Sequence, residues 1–403
     1  MLLFAVAMPG PAWTAAVNSR RTTTTTHFRP RFSVSSVADG LGFPSFLPKE
    51  VEGIKDPYAR KLASRIQRLP VTVGSSGDCI MSSCVMPLSS TQSRATTSPM
   101  VLLHGFDSSC LEWRYALPQL EEAGLEAWAV DVLGWGFSDL GLFCISSILL
   151  CMGSTFNVGE QQLTTLFVFL LFASIFGTLM EFLEKLPPCN VQTKREHLHQ
   201  LWKTYIRRPI ILVGPSLGAA IAIDFAVQYP EAVEKLVLID ASVYAEGTGG
   251  MATLPRTVAY AGVYLLKSAL LRLFFNALTF DWLPLSTSID WMNIGRLHCT
   301  YHWWADATVN FMRSGGYDVA RLIPKINQKT LIIWGEDDKI ISSKLGVRLH
   351  CELPNAIIRQ IPNCGHIPHV EKPSSVAKLI KEFVQDQEDR SRKEDQLVGT
   401  PVS

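Results

Sequence analysis

The stretch Pro209-Ile-Ile-Leu-Val-Gly-Pro-Ser-Leu-Gly-Ala-Ala220 decides how the rest of the chain is read. Residues 210–213 are a short apolar run rich in β-branched side chains, the pattern of a buried strand. Gly214-Pro215-Ser216-Leu217-Gly218 reads G-x-S-x-G, and residues 219–228 carry helix formers with apolar positions at Ala220, Ile221, Phe225 and Val227. Strand, sharp turn and helix are the context of a nucleophile elbow. Such a turn strains the serine backbone, so its neighbours must be small, and the glycines meet that need. The hydroxyl then stands at the positive end of the helix, where the Leu217 amide can donate to an oxyanion. G-x-S-x-G alone is common by chance and is often a plain glycine turn. Its position between this strand and this helix selects the functional reading.

Outward from there, apolar runs and helical patterns alternate. Residues 50–69 have helical spacing, Val71-Thr-Val73 and residues 79–86 read as two strands around a turn at 74–77, and residues 89–98 are a polar loop. Met100-Val-Leu-Leu103 is a buried strand leading into His104-Gly105-Phe106-Asp107, where the Phe106 amide is placed to be a second oxyanion donor and His104 to support the loop. A helix over 112–123 ends at Gly124, and a strand at 127–130 leads into Asp131-Val-Leu-Gly-Trp-Gly-Phe-Ser-Asp139. Further strands are expected at 235–239, 330–334 and 356–361, and a closing amphipathic helix at 372–385. Strands alternating with helices call for a mostly parallel sheet covered on both faces. Residues 241–325 interrupt the alternation with an aromatic-rich helical block, expected to be a lid. Its apolar 259–275 stretch suggests a lipophilic pocket.

Composition narrows the function classes. A net charge of +1 argues for no nucleic-acid or acidic-polymer partner. Nine cysteines without paired C-x-x-C spacing fit a reduced compartment better than a disulfide framework or a zinc site. Through Ala38 there is no acidic residue, while Arg20, Arg21, Arg29 and Arg31 sit among threonines and serines. That leader (1–45) is similar to a chloroplast transit peptide, which places the main domain (46–385) in the stroma or on a plastid membrane. The charged tail, 386–403, is expected to be disordered.

A serine hydrolase needs a base, an orienting acid and oxyanion donors that meet in space. His104-Gly105-Phe106, Gly134-Trp-Gly-Phe-Ser-Asp139, Gly214-Pro-Ser-Leu-Gly218, Trp334-Gly-Glu-Asp-Asp338 and Asn363-Cys-Gly-His366 follow in order from residue 100 to 385. On these landmarks the chain resembles the α/β-hydrolase fold family, in its single-domain esterase and lipase-like group of the plant plastid type. The resemblance implies Ser216 as nucleophile, His366 as general base and Asp338 as the acid that orients it. It also implies an oxyanion hole of the Phe106 and Leu217 amides, with no cofactor and no metal. Asp337 and Asp240 remain as alternative acids, the latter also readable as a carboxylate that caps its turn. His369 and His350 remain as alternative bases, with His369 also readable as a support for the His366 loop. Serine at 216 points to acyl transfer, so the expected reaction is hydrolysis of a small lipophilic carboxylic ester through an acyl-enzyme. A thioesterase or lyase, or a non-catalytic binding or interaction protein on the same scaffold, are the alternatives. Two features depart from the family pattern: Pro215 stands where many relatives carry histidine, and Ala219 where they carry glycine.

The larger departure lies between Ser138 and Ser216, which relatives hold a few tens of residues apart. From residue 141 to 180 only Glu160 is charged, and 161–180 is long and apolar enough to cross a bilayer. A crossing would strand the two halves of one sheet on opposite sides of the membrane. A membrane-dipping insert, with peripheral membrane contact, and a retained intron both survive that objection. The Phe, Leu, Ile, Val, Ser and Cys content favours the intron. A chain lacking residues 141–180 is therefore expected to fold and stay soluble, as read by circular dichroism and melting temperature; loss of soluble protein on deletion would contradict it.

Overall fold

The structure, a computed structural model, describes residues 42–73, 78–89, 97–140 and 187–398. The leader through 41, the turn at 74–77, loop residues 90–96, the apolar insertion on to 186, and 399–403 lie outside the described residues. Eight strands form one sheet: β1 (Ile66–Val73), β2 (Asp78–Val85), β3 (Met100–Leu102), β4 (Ala127–Val130), β5 (Ile210–Pro215), β6 (Val233–Ile239), β7 (Lys329–Gly335) and β8 (Ala356–Ile361). Their spatial order is β1-β2-β4-β3-β5-β6-β7-β8. β1, β2 and β4 pair antiparallel, and every pairing from β4 to β8 is parallel.

The central strands are apolar throughout because both faces are covered. In β5, Ile211 and Val213 pack into one hydrophobic cluster and Ile210 and Leu212 into the other. The same alternation divides Val237 and Ile239 from Leu236 and Leu238, and Leu331 and Ile333 from Ile332. Helices α1 (Pro57–Ala63), α2 (Ala116–Glu122), α3 (Val191–Leu201) and α4 (Leu217–Gln228) alternate with the strands. Between β6 and β7 come α5 (Arg256–Leu266), α6 (Ala269–Thr279), α7 (Leu285–Arg296) and α8 (Trp304–Arg313). Three more, α9 (Ser343–Glu352), α10 (Pro368–Glu371) and α11 (Pro373–Val398), complete the chain. Leu117, Leu120, Val376 and Ile380 join one cluster, and Leu198, Leu201, Ile221 and Leu349 the other. This is the α/β-hydrolase architecture that the landmarks implied.

Three boundaries differ from expectation. The helix expected over 50–69 is a short 3-10 turn, then α1, capped by the Asp56 carboxylate that accepts the Tyr58 and Ala59 amides. From Ile66 the chain is instead recruited into β1 by pairing along the whole length of β2, from Ile66↔Val85 onward. The helix expected over 112–123 is broken into a 3-10 turn (Cys110–Trp113) and α2. Pro118 lacks the N–H that would bond the Arg114 carbonyl, so it fits the first turn of α2, where no such bond is needed, and not the interior of a helix running on from 112. The tail expected to be disordered from 386 is helical as far as Val398. From 386 to 398 the sequence has no glycine or proline and mixes both charge signs, which lets α11 run on. The apolar 259–275 stretch is two helices, α5 and α6, bent 70° between them. Among the described residues no single helix is long and apolar enough to cross a membrane.

The Gly134-Trp-Gly motif closes a tight loop on Asp131. That carboxylate is buried and accepts the Cys110 amide at 2.6 Å, the Phe137 amide at 2.9 Å and the Ser83 hydroxyl. Gly136 has φ +70°, and a Cβ there would lie 2.0 Å from Asp131 Cγ. Gly136→Ala is expected to lower the urea-unfolding free energy by about 2–4 kcal/mol. A loss below about 0.5 kcal/mol, the usual range of a neutral surface change, would contradict this reading of the loop.

Candidate active site

Ser216 lies between the end of β5 and the start of α4, at φ 49° and ψ −118°. The bend needs bare backbone beside it: a Cβ on Gly214 would meet the Gly218 carbonyl oxygen at 2.2 Å, and one on Gly218 the His104 carbonyl oxygen at 2.8 Å. Pro215 adds to the pressure, its Cδ standing 3.1 Å from the same Gly218 position. The missing Pro215 N–H falls at the end of β5, and Ser216 N–H resumes the contact by donating to the Ile239 carbonyl at 2.8 Å. Leu217 is the first residue of α4, so its N–H has no acceptor within the helix.

β7 and β8 deliver the other two expected groups. Asp338 sits in the turn after β7, where its Oδ1 accepts the Ile340 and Ile341 amides at 2.7 and 2.9 Å. His366 lies in the loop after β8, tied by its own N–H to the Thr279 carbonyl of α6 at 2.6 Å. His366 Nδ1 donates to Asp338 Oδ2 at 2.7 Å. A neutral imidazole with its proton on Nδ1 leaves Nε2 as acceptor. Nε2 stands 2.9 Å from Ser216 Oγ and accepts the hydroxyl proton. The structure thus brings Ser216, His366 and Asp338 into one hydrogen-bonded chain. Asp337 is exposed, and His350 lies on α9, which packs against β7 and β8.

The loop after β3 is braced from both sides. His104 is buried, with Nδ1 on the Gly105 carbonyl at 2.8 Å and Nε2 accepting the Val132 amide at 3.0 Å. Burial lowers its pKa, which fits the neutral tautomer these bonds require. Glu112 accepts the Gly105 amide through Oε2 at 3.2 Å and His369 Nε2 through Oε1 at 2.8 Å. Burial opposes ionisation of Glu112, but the His369 bond and charge hold its pKa below the ordinary value. His369 therefore bonds Glu112, which holds the Gly105 amide, rather than Ser216. Phe106 packs edge-on against Trp135 at 5.2 Å and lines a cavity with Ser216 and His366.

Asp107, at φ 51°, is where the sequence reading fell short. Its buried carboxylate accepts Arg272 Nη2 at 2.5 Å, His298 Nε2 at 2.9 Å and Trp304 Nε1 at 2.8 Å. All three donors come from the helical block between β6 and β7, more than 160 residues away, so no local pattern announces them. Burial disfavours the Asp107 charge, yet the Arg272 charge keeps its pKa lowered. Asp107, His298 and Cys299 group as metal donors would, but Arg272 Nη2 already stands 2.5 Å from Asp107 and 3.1 Å from Cys299 Sγ. The guanidinium fills the cation position there.

Asp240, the alternative acid, does not cap the turn after its own strand as the second reading had it, but reaches across to β7. Its Oδ1 accepts the Gly335 amide at 2.9 Å, and its Oδ2 is buried without a hydrogen-bond partner among the described residues. Its carboxylate, that of Asp338 and the His366 ring nitrogen lie within 4.8 Å of one another. Burial first, and the Asp338 charge next, push the Asp240 pKa well above the usual carboxylate range. In the folded protein Asp240 keeps a proton that the unfolded chain sheds above about pH 4. Its contribution to stability is complete below that pH and is lost as pH climbs through the raised folded pKa, by up to about 1.4 kcal/mol per pH unit. Asn cannot ionise and escapes this loss. The melting temperature of Asp240→Asn relative to the unsubstituted protein should rise as pH climbs above about 4; a fall would mean an ionised, paired Asp240.

Comparison with known proteins agrees with the fold. Residues 100–379 match the family model described as Alpha/beta hydrolase family. The chain is 52% identical over 355 residues to the alpha/beta hydrolase domain-containing protein VTE7 of Arabidopsis thaliana, covering 88% of this chain and 94% of that one. It is 26% identical over 300 residues to a 2-hydroxy-6-oxononadienedioate/2-hydroxy-6-oxononatrienedioate hydrolase of Burkholderia vietnamiensis, covering 71% and 86%. Among solved structures, an esterase from Exiguobacterium antarcticum superposes with TM-score 0.55 at 15% identity, covering 79% of this chain and all (100%) of that one, which speaks to the fold alone. With a plant relative at that identity and a family match across most of its length, the chain belongs to the alpha/beta hydrolase family.

Proposed function

We propose that the protein is a serine hydrolase that cleaves a lipophilic carboxylic ester through an acyl-enzyme. The observation that carries this reading is the chain Asp338 Oδ2, His366 Nδ1, His366 Nε2 and Ser216 Oγ, at 2.7 and 2.9 Å. In this reading His366 takes the Ser216 proton as Oγ attacks the ester carbonyl, and Asp338 holds the imidazole in the tautomer and orientation that attack requires. The Phe106 and Leu217 amides receive the oxyanion. His366 then passes its proton to the oxygen of the departing alcohol, and water, activated by the same imidazole, releases the acid. The lipophilic substrate class is supported by Phe106, Leu266, Phe275, Met292 and Ile367 in the walls of the cavity above Ser216. The acid-free, hydroxyl-rich leader supports delivery to the plastid.

A fluorophosphonate probe is the direct test. It should attach covalently to the folded protein and not to Ser216→Ala, and Asp338→Asn should slow attachment by about three to four orders of magnitude by spoiling the tautomer. Absence of Ser216-dependent labelling in folded protein would favour a non-catalytic binding role instead.

A further inference from the structure

The cavity above Ser216 has a volume of about 190 Å³. Sites that enclose whole ligands usually run from about 300 to 1,000 Å³. A substrate with a long apolar chain must therefore place that chain elsewhere. Next to the cavity opens a groove of about 470 Å³, lined by Tyr115, Phe280, Trp282, Leu283 and Trp291 among others. Trp291 lines both spaces. It stands edge-on to Phe280, ring centroids 5.6 Å apart, and Phe280 packs with Ile367 and Val370. Ile367 faces the cavity, while Phe280 and Val370 face the groove. One layer of side chains separates the two.

The side on which the groove lies identifies the part of the ester it can serve. Asn363, Val370 and Lys372, from the segment that carries His366, form one wall, and the chain just beyond Thr279, whose carbonyl holds the His366 amide, forms the other. His366 protonates the departing oxygen, so the alcohol half of the ester leaves on this side. The oxyanion donor Phe106 packs instead against Trp135 and Phe311, neither of which lines the groove. We infer that the groove receives the extended apolar chain of the alcohol portion of the ester, and that Trp291 controls its passage from cavity to groove. The inference rests on the serine-hydrolase reading and adds to it a substrate class, esters of long-chain alcohols, and a residue that selects for them.

Each methylene withdrawn from water strengthens binding by about fourfold, so a chain in the groove should dominate specificity. The test compares kcat/KM for butyl acetate, dodecyl acetate and ethyl dodecanoate. The unsubstituted protein should prefer dodecyl over butyl acetate by at least about 100-fold and show no such gain for ethyl dodecanoate. Trp291→Ala, which opens the partition, should raise kcat/KM for dodecyl acetate by about tenfold relative to butyl acetate. Should that variant fold poorly, Thr287→Trp, which fills the groove from α7, should raise KM for dodecyl acetate at least about tenfold more than for butyl acetate. Ser216-dependent hydrolysis of butyl acetate with no chain-selective change in either variant, or an equal change for ethyl dodecanoate, would overturn the groove assignment. Absence of any Ser216-dependent hydrolysis would overturn the serine-hydrolase reading, and the groove assignment with it.

Discussion

The backbone of Ser216 is the constraint from which the rest of the site follows. A residue with a side chain holds φ 49° and ψ −118° only when its surroundings over-determine it, against a cost of roughly 1–3 kcal/mol. Three hydrogen bonds do so. Ser216 N–H donates to Ile239, and the Ser216 carbonyl accepts the Ala219 and Ser242 amides at 3.1 Å each. β5 lies between β3 and β6, so the strained turn is buttressed on both sides by parallel neighbours whose own loops carry the Phe106 amide and Asp240. Parallel pairing has the further effect that all these loops emerge at one edge, where β7 and β8 also release Asp338 and His366.

Around that edge the loops make few regular backbone bonds, and buried carboxylates take their place. Asp131 gathers the glycine-rich loop, Glu112 ties the Gly105 amide to His369, and Asp107 ties the loop after β3 to the helices above it. Each carboxylate is surrounded by donors from distant parts of the chain. A charge so placed is tolerated because its hydrogen bonds offset lost hydration, and removing one partner exposes the full penalty. Asp240 is the exception that fits the same rule: with one oxygen bonded and a carboxylate for a neighbour, it does better neutral.

Much of this could be read from the residues in order. The runs at 210–213, 235–239 and 330–334 have the mostly apolar character of strands buried on both faces, 356–361 is an apolar run broken by Arg359 and Gln360 at the sheet edge, and all are strands. Ser216, Asp338 and His366 were legible because each follows such a strand in a short, glycine-marked loop. What the sequence concealed depends on contacts between remote segments. Ile66 to Leu69 look helical until β2 is there to pair with them. Asp107 looks like one more loop aspartate until Arg272, His298 and Trp304 surround it. Trp291 and Phe280 belong to no motif, and only their position between two spaces gives them meaning.

The central claim is that a reacting carbonyl would sit with Ser216 on one side and two backbone amides on the other. A crystal structure of the fluorophosphonate-treated protein tests it most directly. The account predicts phosphorus bonded to Ser216 Oγ, with its oxygen about 2.7–3.1 Å from both the Phe106 and Leu217 nitrogens. Phosphorus on another residue, or a phosphoryl oxygen turned away from both amides, would contradict it.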